Sequence, residues 1–249
     1  NIVLIIISLC LVFADTPAEV SKVATAAGNW LKLETGARGI SMGGAQVAAG
    51  RGVSAIPYNP ASLGFITGSE TYYSKSYYLA DISHNVISYG TQISQTDFVG
   101  LHVFYLDSGP ISVNTEEEPD GTGEFYHVLD ISIRGTFSKL LTDRLRVGAS
   151  LKYIREQIYT TYMQTFAFDF GSNFNTGIYG FILGMSVSNF GPEVQFHGEG
   201  TDIDDDTQYQ TVSHPLPLTF RLGVQNDILG IDSELFKSNT HRLTLAVDG

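Results

Sequence analysis

The residues whose types and spacing come nearest to chemistry are the acids of "TDIDDD", Thr201 to Asp206. Asp202, Asp204 and Asp206 alternate like the first ligands of a calcium-binding loop. The rest of that loop is missing, with Thr207 where its turn needs Gly and Ser213 where its closing Glu belongs. The expectation is a solvated acidic loop, with a loop-bound cation as the alternative. The six histidines (His84, His102, His127, His197, His214 and His241) fall on different segments, and no pair has metal-ligand spacing on one element. "GISMGGAQVAAG", Gly39 to Gly50, is rich enough in glycine for a phosphate loop. It lacks the G-x-G-x-x-G spacing and follows no apolar strand. No G-x-S-x-G elbow accompanies the Ser, His and Asp residues. The chain reads as non-enzymatic, with no catalytic, metal or cofactor site.

What remains is a set of charges spread over several strand-like runs: Asp130, Arg134, Arg144, Arg146, Lys152, Asp169 and Arg221. The elements that position them have a period of two. In "FYHVLDISIRGTFS", Phe125, Leu129, Ile131, Ile133 and Phe137 share one face, and Asp130, Ser132, Arg134, Thr136 and Ser138 the other. In "RLRVGASLKY", Leu145, Val147, Ala149, Leu151 and Tyr153 oppose Arg144, Arg146, Gly148, Ser150 and Lys152. In "YMQTFAFDFGSNF", Tyr162 and the phenylalanines oppose Thr165, Ala167, Asp169, Gly171 and Asn173. "IYGFILGMSVSNF", "LTFRLGV" and "RLTLAV" follow the same rule. One face is large and aromatic; the other is small or charged.

Two architectures fit such runs. In a soluble sandwich the large face is the core. In a membrane barrel the large face meets lipid and the small face a crowded polar lumen. The runs are about 9 to 13 residues, nearer the ~9–11 of a transmembrane strand than the ~5–6 of a soluble one. Tyr72, Tyr73, Tyr77, Tyr78, Tyr159 and Tyr162 lie near expected strand ends, where an interfacial belt would want them. Short connections (94–97, 139–144, 175–177) alternate with the longer 108–123 and 191–216, although 157–161, on the long side, is short. The reading is all-β, a transmembrane antiparallel β-barrel with about nine strands over residues 69–249. An even number is usual, so the barrel is expected to be incomplete at the C-terminus. A soluble secreted sandwich is the alternative from another class.

Composition sets further bounds. Charged residues make up 16% of the 249 residues, against roughly 25% in a typical soluble domain. There are 13 Tyr and 15 Phe, and the formal net charge is -12. A nucleic-acid partner, which needs a basic face, is excluded. Ile2 to Ala14 is apolar apart from Ser8 and Cys10. It is too short to span a membrane but suits a signal peptide over residues 1–14, truncated at its start, with cleavage before Asp15. The single cysteine, Cys10, lies within it, so the mature chain has no disulfide framework.

Residues 15–68 precede the strands. "WLKLETGARGISMGGAQVAAGRGVSAIPYNPASLG", Trp30 to Gly64, contains "GAR" at Gly36 to Arg38, "MGGA" at Met42 to Ala45, "SAI" at Ser54 to Ile56 and "NPASL" at Asn59 to Leu63. On these motifs the chain resembles the PorV/PorQ family of the FadL-like outer-membrane proteins. The likeness continues through "EFYHVLDISIRGTFSKLLTDRLRVGASLKYIREQI" and "LPLTFRLGV". It departs from the family pattern at Tyr58, where Trp is frequent. The resemblance implies a FadL-like barrel of about 14 strands, with the N-terminal segment plugging its lumen, in the bacterial outer membrane. It implies a receptor or shuttle in type IX secretion, with cargo carrying a C-terminal signal domain as partner. The alternative is passive transport of hydrophobic small molecules.

The residues of the segment agree with a plug. Gly36, Gly43 and Gly44, with Gly39, Gly50 and Gly52, give the small bulk and permissive backbone that a barrel interior needs. On this reading Gly43→Leu should overpack the plug. Asn59 followed by Pro60 suits a capped turn over Pro60 to Leu63. Arg38, and with less reason Arg51, could pair with inward carboxylates such as Asp130 or Asp169, solvated loop charge being the alternative for both. Asp130, Arg134, Arg146, Lys152, Asp169 and Arg221 are expected to form a lumen network that holds the plug.

Overall fold

The two-residue period produces long strands, and few helical residues accompany them. In this computed structural model residues 26–78, 81–198, 212–231 and 233–249 are described. The expected signal peptide and the acids Asp202, Asp204 and Asp206 lie outside the described residues. The strands are β1 (Ser69–Tyr77), β2 (Ser83–Gln92), β3 (Asp97–Asp107), β4 (Ile111–Ser112), β5 (Phe125–Tyr126), β6 (Val128–Thr142), β7 (Leu145–Ile158), β8 (Thr161–Asn175), β9 (Ile182–Phe190), β10 (Thr219–Gly230), β11 (Phe236–Lys237) and β12 (Leu243–Asp248). The chain is all-β, built on one large sheet.

The long strands pair antiparallel in chain order, β1-β2-β3-β6-β7-β8-β9-β10, and β12 pairs with the free side of β10. Three short strands complete the picture: β11 lies parallel beside the end of β10, and β4 and β5 form a separate antiparallel pair. Among the described residues no ladder joins β1 to β12, so these are the sheet's edges. Meander pairing puts alternate connections at opposite ends. Tight turns at 143–144 and 93–96 share one end, and the long 108–127 and 191–218 the other. The connection 231–242, between β10 and β12, is a longer excursion on the tight-turn end.

One face of every long strand meets the same piece of chain. Residues 36–66 touch β1 at Glu70 and Tyr72, β2 at Gly90, β3 at Gly100, β6 at Ser138, β7 at Gly148, β8 at Gly171, β9 at Gly184, β10 at Gly223 and β12 at Asp248. A sheet that reaches one short segment with all nine of these strands must curl around it. Small residues make room for this geometry: Val47, Ala48, Val53, Ile56, Ala61 and Leu63 are all fully buried inside the curl. Burying each larger aliphatic among them contributes roughly 1.5–3 kcal/mol.

The faces are inverted relative to a soluble sheet. On β6, Ser132, Arg134, Thr136 and Ser138 are buried while Ile133 and Phe137 are exposed. On β8, Asp169 and Asn173 are buried while Phe166 (57%), Phe168 (45%) and Phe170 (48%) stand in the open. Leu151, Leu183, Met185, Phe220, Leu222 and Val247 continue the exposed apolar band across β7, β9, β10 and β12. Tyr73, Tyr77, Tyr78 and Tyr159 are exposed. Tyr72 differs because it alternates with Tyr73: it is partly buried and packs against the cluster of Val53, Ile56, Leu63, Ile66 and Phe98. Tyr162 is half-buried beneath the His197 bridge.

Candidate functional site

The interior of the curl gathers the sequence-predicted residues, and it is built from the segment outward. After a 3₁₀ turn at Asn29–Lys32, the chain makes a short helix at Ala37–Ser41, a 3₁₀ turn at Val53–Ala55 and another at Pro60–Phe65. Asn59 caps the last. Its Oδ1 accepts from Ala61 N at 3.0 Å, and Pro60 occupies the first position. Its Nδ2 donates to Val47 O at 2.7 Å within the segment and to Ser172 O at 2.9 Å on β8. The fully buried Asn59 thereby ties the turn, the preceding loop and the wall together.

The wall receives this backbone through paired glycines. Gly90 faces Gly100 across β2 and β3, Gly148 faces Gly171 across β7 and β8, and Gly184 faces Gly223 across β9 and β10. A Cβ on Gly148 would lie 2.6 Å from Ala61 N, and one on Gly184 2.6 Å from Ala48 N. One on Gly171 would run into the Asn59 side chain, and one on Gly90 would lie 2.6 Å from Leu63 Cδ1. The segment comes close with its backbone at Gly148 and Gly184 and with its side chains at Gly90 and Gly171, and a Cβ would collide at each.

Within the segment, Gly36 (φ 78°), Gly43 (φ 60°) and Gly44 (φ 82°) all take left-handed backbone. Gly43, however, has open space for 4 Å around the point where a Cβ would sit, so overpacking is not what a larger residue would meet there. Gly39 is the crowded one, pressed against the Tyr58 hydroxyl. Tyr58 Oη accepts from Thr35 N and donates to Thr35 O, both at 2.9 Å. Burial, reinforced by the Glu34 carboxylate, pushes its phenol well above its ordinary pKa.

Arg38 and Arg51 do not reach Asp130 or Asp169. Arg38 donates to Gln46 Oε1 (3.0 Å) and Ala49 O (3.1 Å). Arg51 donates to Ala48 O, Gly50 O and Gln225 Oε1, each at 2.8 Å. Local carbonyls lie within reach of these side chains and satisfy them. Burial and the Arg146, Arg242 and Arg38 charges lower the Arg51 pKa to about 10, which leaves it charged at neutral pH. Its guanidinium lies 3.9 Å from the Phe65 ring centroid, and Arg146 lies 4.0 Å from the same ring. Arg146 Nε also donates to Gly64 O at 3.0 Å.

The expected charge network is split. Arg134, Lys152 and Asp169 form one buried cluster: Asp169 Oδ2 is 2.9 Å from Arg134 Nε, and Oδ1 is 2.8 Å from Lys152 Nζ. The first is an ion pair without hydrogen-bond alignment. Arg146 belongs to the Phe65 stack, and Arg221 meets Glu34 of the segment at 3.5 Å. Asp130 sits opposite Glu156 across β6 and β7, and Glu156 accepts from Trp30 Nε1 at 3.1 Å. Arg144 lies exposed in the β6–β7 turn rather than inside.

Sequence reasoning missed Asn189, which completes the central cluster. Its backbone N donates to Asp169 Oδ1 (2.8 Å), its Nδ2 to Pro217 O (2.9 Å), and its Oδ1 accepts from Lys152 Nζ. It takes φ 65° at a bulge, where β9 advances from Val187 to Phe190 while β8 advances from Phe170 back to Phe168. The extra residue turns Asn189 inward against the strand's parity. Ser88 and His102, whose Oγ and Nδ1 lie 2.8 Å apart, likewise do not stand out as a pair in the sequence.

At the long-loop end, Ala27, Ile154, Met163, Ala167, Val194 and Leu216 make an apolar cluster with Trp30, Leu31 and Phe196 packed on it. A cavity of about 330 Å³ opens beside it, lined by Trp30, Glu156 and Phe196 among others. Among the described residues no group of three or more His, Cys, Asp or Glu could hold a metal ion. Comparison with protein-family models, with curated proteins and with solved structures returns no match.

Proposed function

We propose that the chain is an outer-membrane β-barrel protein of the bacterial envelope, plugged by its own N-terminal segment and resembling PorV/PorQ. On this reading it is a non-enzymatic receptor or shuttle in type IX secretion, for cargo with a C-terminal signal domain. The observation that carries the membrane reading is the inversion of the faces. Charged and small side chains are buried around the segment, while a continuous aromatic and aliphatic band faces out. In water such a band would be an aggregation hazard; in lipid it is the ordinary outer surface of a barrel. An open sheet edge cannot lie in lipid, so the reading requires partners for β1 and β12.

The plug supports a receptor rather than a conduit. Its backbone lies against the wall glycines Gly148, Gly184 and Gly223, and its Val53, Ile56, Asn59 and Leu63 side chains fill the space at Gly90, Gly100 and Gly171. Recognition then falls to the long-loop end. The test is capture of a purified C-terminal signal domain by the detergent-solubilised protein, with and without the 108–127 and 191–218 connections shortened. Saturable capture that is lost on shortening is expected. Absence of capture, together with saturable fatty-acid binding, would favour transport of hydrophobic compounds. The cavity beside Trp30 and Phe196 is the one feature that speaks for that second reading.

A further inference from the structure

We propose that the outer wall binds the phosphorylated headgroup of a membrane lipid at the long-loop rim, with Arg155 as its main cation. The proposal rests on the membrane reading. Strand register lines up one row across the outer face: Lys75, Asn85, Tyr105, Ile131, Arg155 and Gln164, on β1, β2, β3, β6, β7 and β8. Ile154 and Met163, the alternate neighbours on β7 and β8, are fully buried, so Arg155 and Gln164 point outward. The next row toward the tight turns includes Tyr73, Ile87, Ile133 and Phe166, all exposed members of the apolar band. The row of Arg155 is therefore the band's border on the long-loop side. On β6 the opposite border is Lys139, which pairs with Asp97. From Ile131 to Lys139 is about 26 Å along the strand, or about 20 Å across a membrane at a tilt near 40°. An outer-membrane apolar band is about 25 Å tall, which sets Arg155 at headgroup level.

The two borders differ in charge. At the tight-turn end Lys139 is neutralised by Asp97 at 2.5 Å. At the long-loop end neither Lys75 nor Arg155 has a carboxylate partner among the described residues. Each lies instead by a tyrosine ring one row nearer the loops. Lys75 Nζ is 4.9 Å from the Tyr77 centroid, and the Arg155 guanidinium 5.1 Å from that of Tyr162. The surroundings repeat as well. Each cation stands opposite an amide, Asn85 or Gln164. The amide oxygen accepts from the tyrosine two residues before the cation, Tyr73 at 3.3 Å or Tyr153 at 3.0 Å. Arg155 spends one donor on Gln157 Oε1 (3.1 Å) and has others to offer. The outward acid Asp107, one row nearer the loops and two strands away, is taken by His127 and Gly109 N. A planar guanidinium with donors to spare and no acid beside it suits a phosphate. The chain as a whole carries -12 and repels anions, so the attraction is local to this row. Because the row borders the apolar band, its ligand brings acyl chains too, which favours a lipid over free phosphate.

The experiment titrates the detergent-solubilised protein with phosphatidic acid and with diacylglycerol of the same chains, and counts bound lipids by native mass spectrometry. The two lipids differ only in the phosphate. Phosphatidic acid is expected to bind at least about fivefold more tightly. Arg155→Gln should shrink that preference about fivefold, and adding Lys75→Gln should shrink it further. An Asp97→Asn, Lys139→Gln control removes a cation together with its acid and should leave the preference unchanged. Equal binding of the two lipids by a protein that needs detergent would overturn the proposal and leave the membrane reading standing. So would a preference that survives Arg155→Gln, or one lost equally in the control. A protein that stays soluble without detergent and binds neither lipid would overturn the membrane reading, and this proposal with it.

Discussion

At the scale of single residues, Asn59 carries more of the plug's attachment than its motif suggests. Its amide joins three backbone groups, Val47 O and Ala61 N on the segment and Ser172 O on β8. Asn59→Asp keeps the shape but sets a carboxylate against Val47 O and Ser172 O. We expect a loss of roughly 3–5 kcal/mol, the range for an uncompensated buried charge. The chain has a single tryptophan, Trp30, which stacks on Phe104 inside the curl at 5.5 Å. Red-shifted Trp30 emission and new proteolysis between residues 26 and 66 would report the released plug. Tyr58→Phe should act in the same direction but by only about 1–3 kcal/mol, because it strands the N–H and C=O of Thr35 without leaving an uncompensated charge. A Trp at this position could donate to Thr35 O but not accept from Thr35 N, so the departure at Tyr58 brings a bond that a Trp could not make.

Residue identity is the most legible part of the sequence where side-chain parity is regular. Alternation places Arg134, Lys152 and Asp169 on the inner face, and they are there. It does not place Asn189, because a bulge adds one residue and reverses the parity locally, and a bulge leaves no mark in a two-residue count. The partners of Arg38 and Arg51 are hidden for another reason. Charge alone points them at carboxylates, whereas their short reach inside a tight loop gives them carbonyls.

At the scale of elements, the glycine pairs are the interface between plug and wall. "YGT", "VGL", "VGA", "FGS", "LGM" and "LGV" each put one glycine into a strand, and this regularity is open to view. Their pairing is not, since it depends on the register between strands. Gly171→Ala should cost about 1–3 kcal/mol by overpacking against Asn59 and Pro60. Gly135→Ala, on the outer face of β6 with open space around it, should be neutral or stabilising by about 0.5–1 kcal/mol. Matched thermal unfolding of the two variants separates plug packing from a general glycine effect. For Gly43→Leu the left-handed backbone sets the penalty, roughly 1–2 kcal/mol, with no packing term. A cost for Gly43→Leu well above about 2 kcal/mol would show a packing term and hence that the segment is seated differently.

At the scale of the whole molecule, strand length, the number of long strands and the two-faced pattern can all be read from the chain, because period-two alternation survives any register. Closure cannot be read, because pairing between distant edges leaves no local trace, and β1 and β12 stand unjoined among the described residues. The central claim is that the exposed aromatic and aliphatic band faces lipid and the buried polar face surrounds the plug. It is tested most directly by spin labels placed one at a time at Phe137, Leu151 and Phe168, and at the inward neighbour Ser150, in protein reconstituted into bilayers. The three outward labels are expected to be relaxed by lipid-soluble oxygen and shielded from water-soluble nickel chelate, while the label at Ser150 is shielded from both. Outward labels relaxed mainly by the nickel chelate, in a protein that stays soluble without detergent, would contradict it.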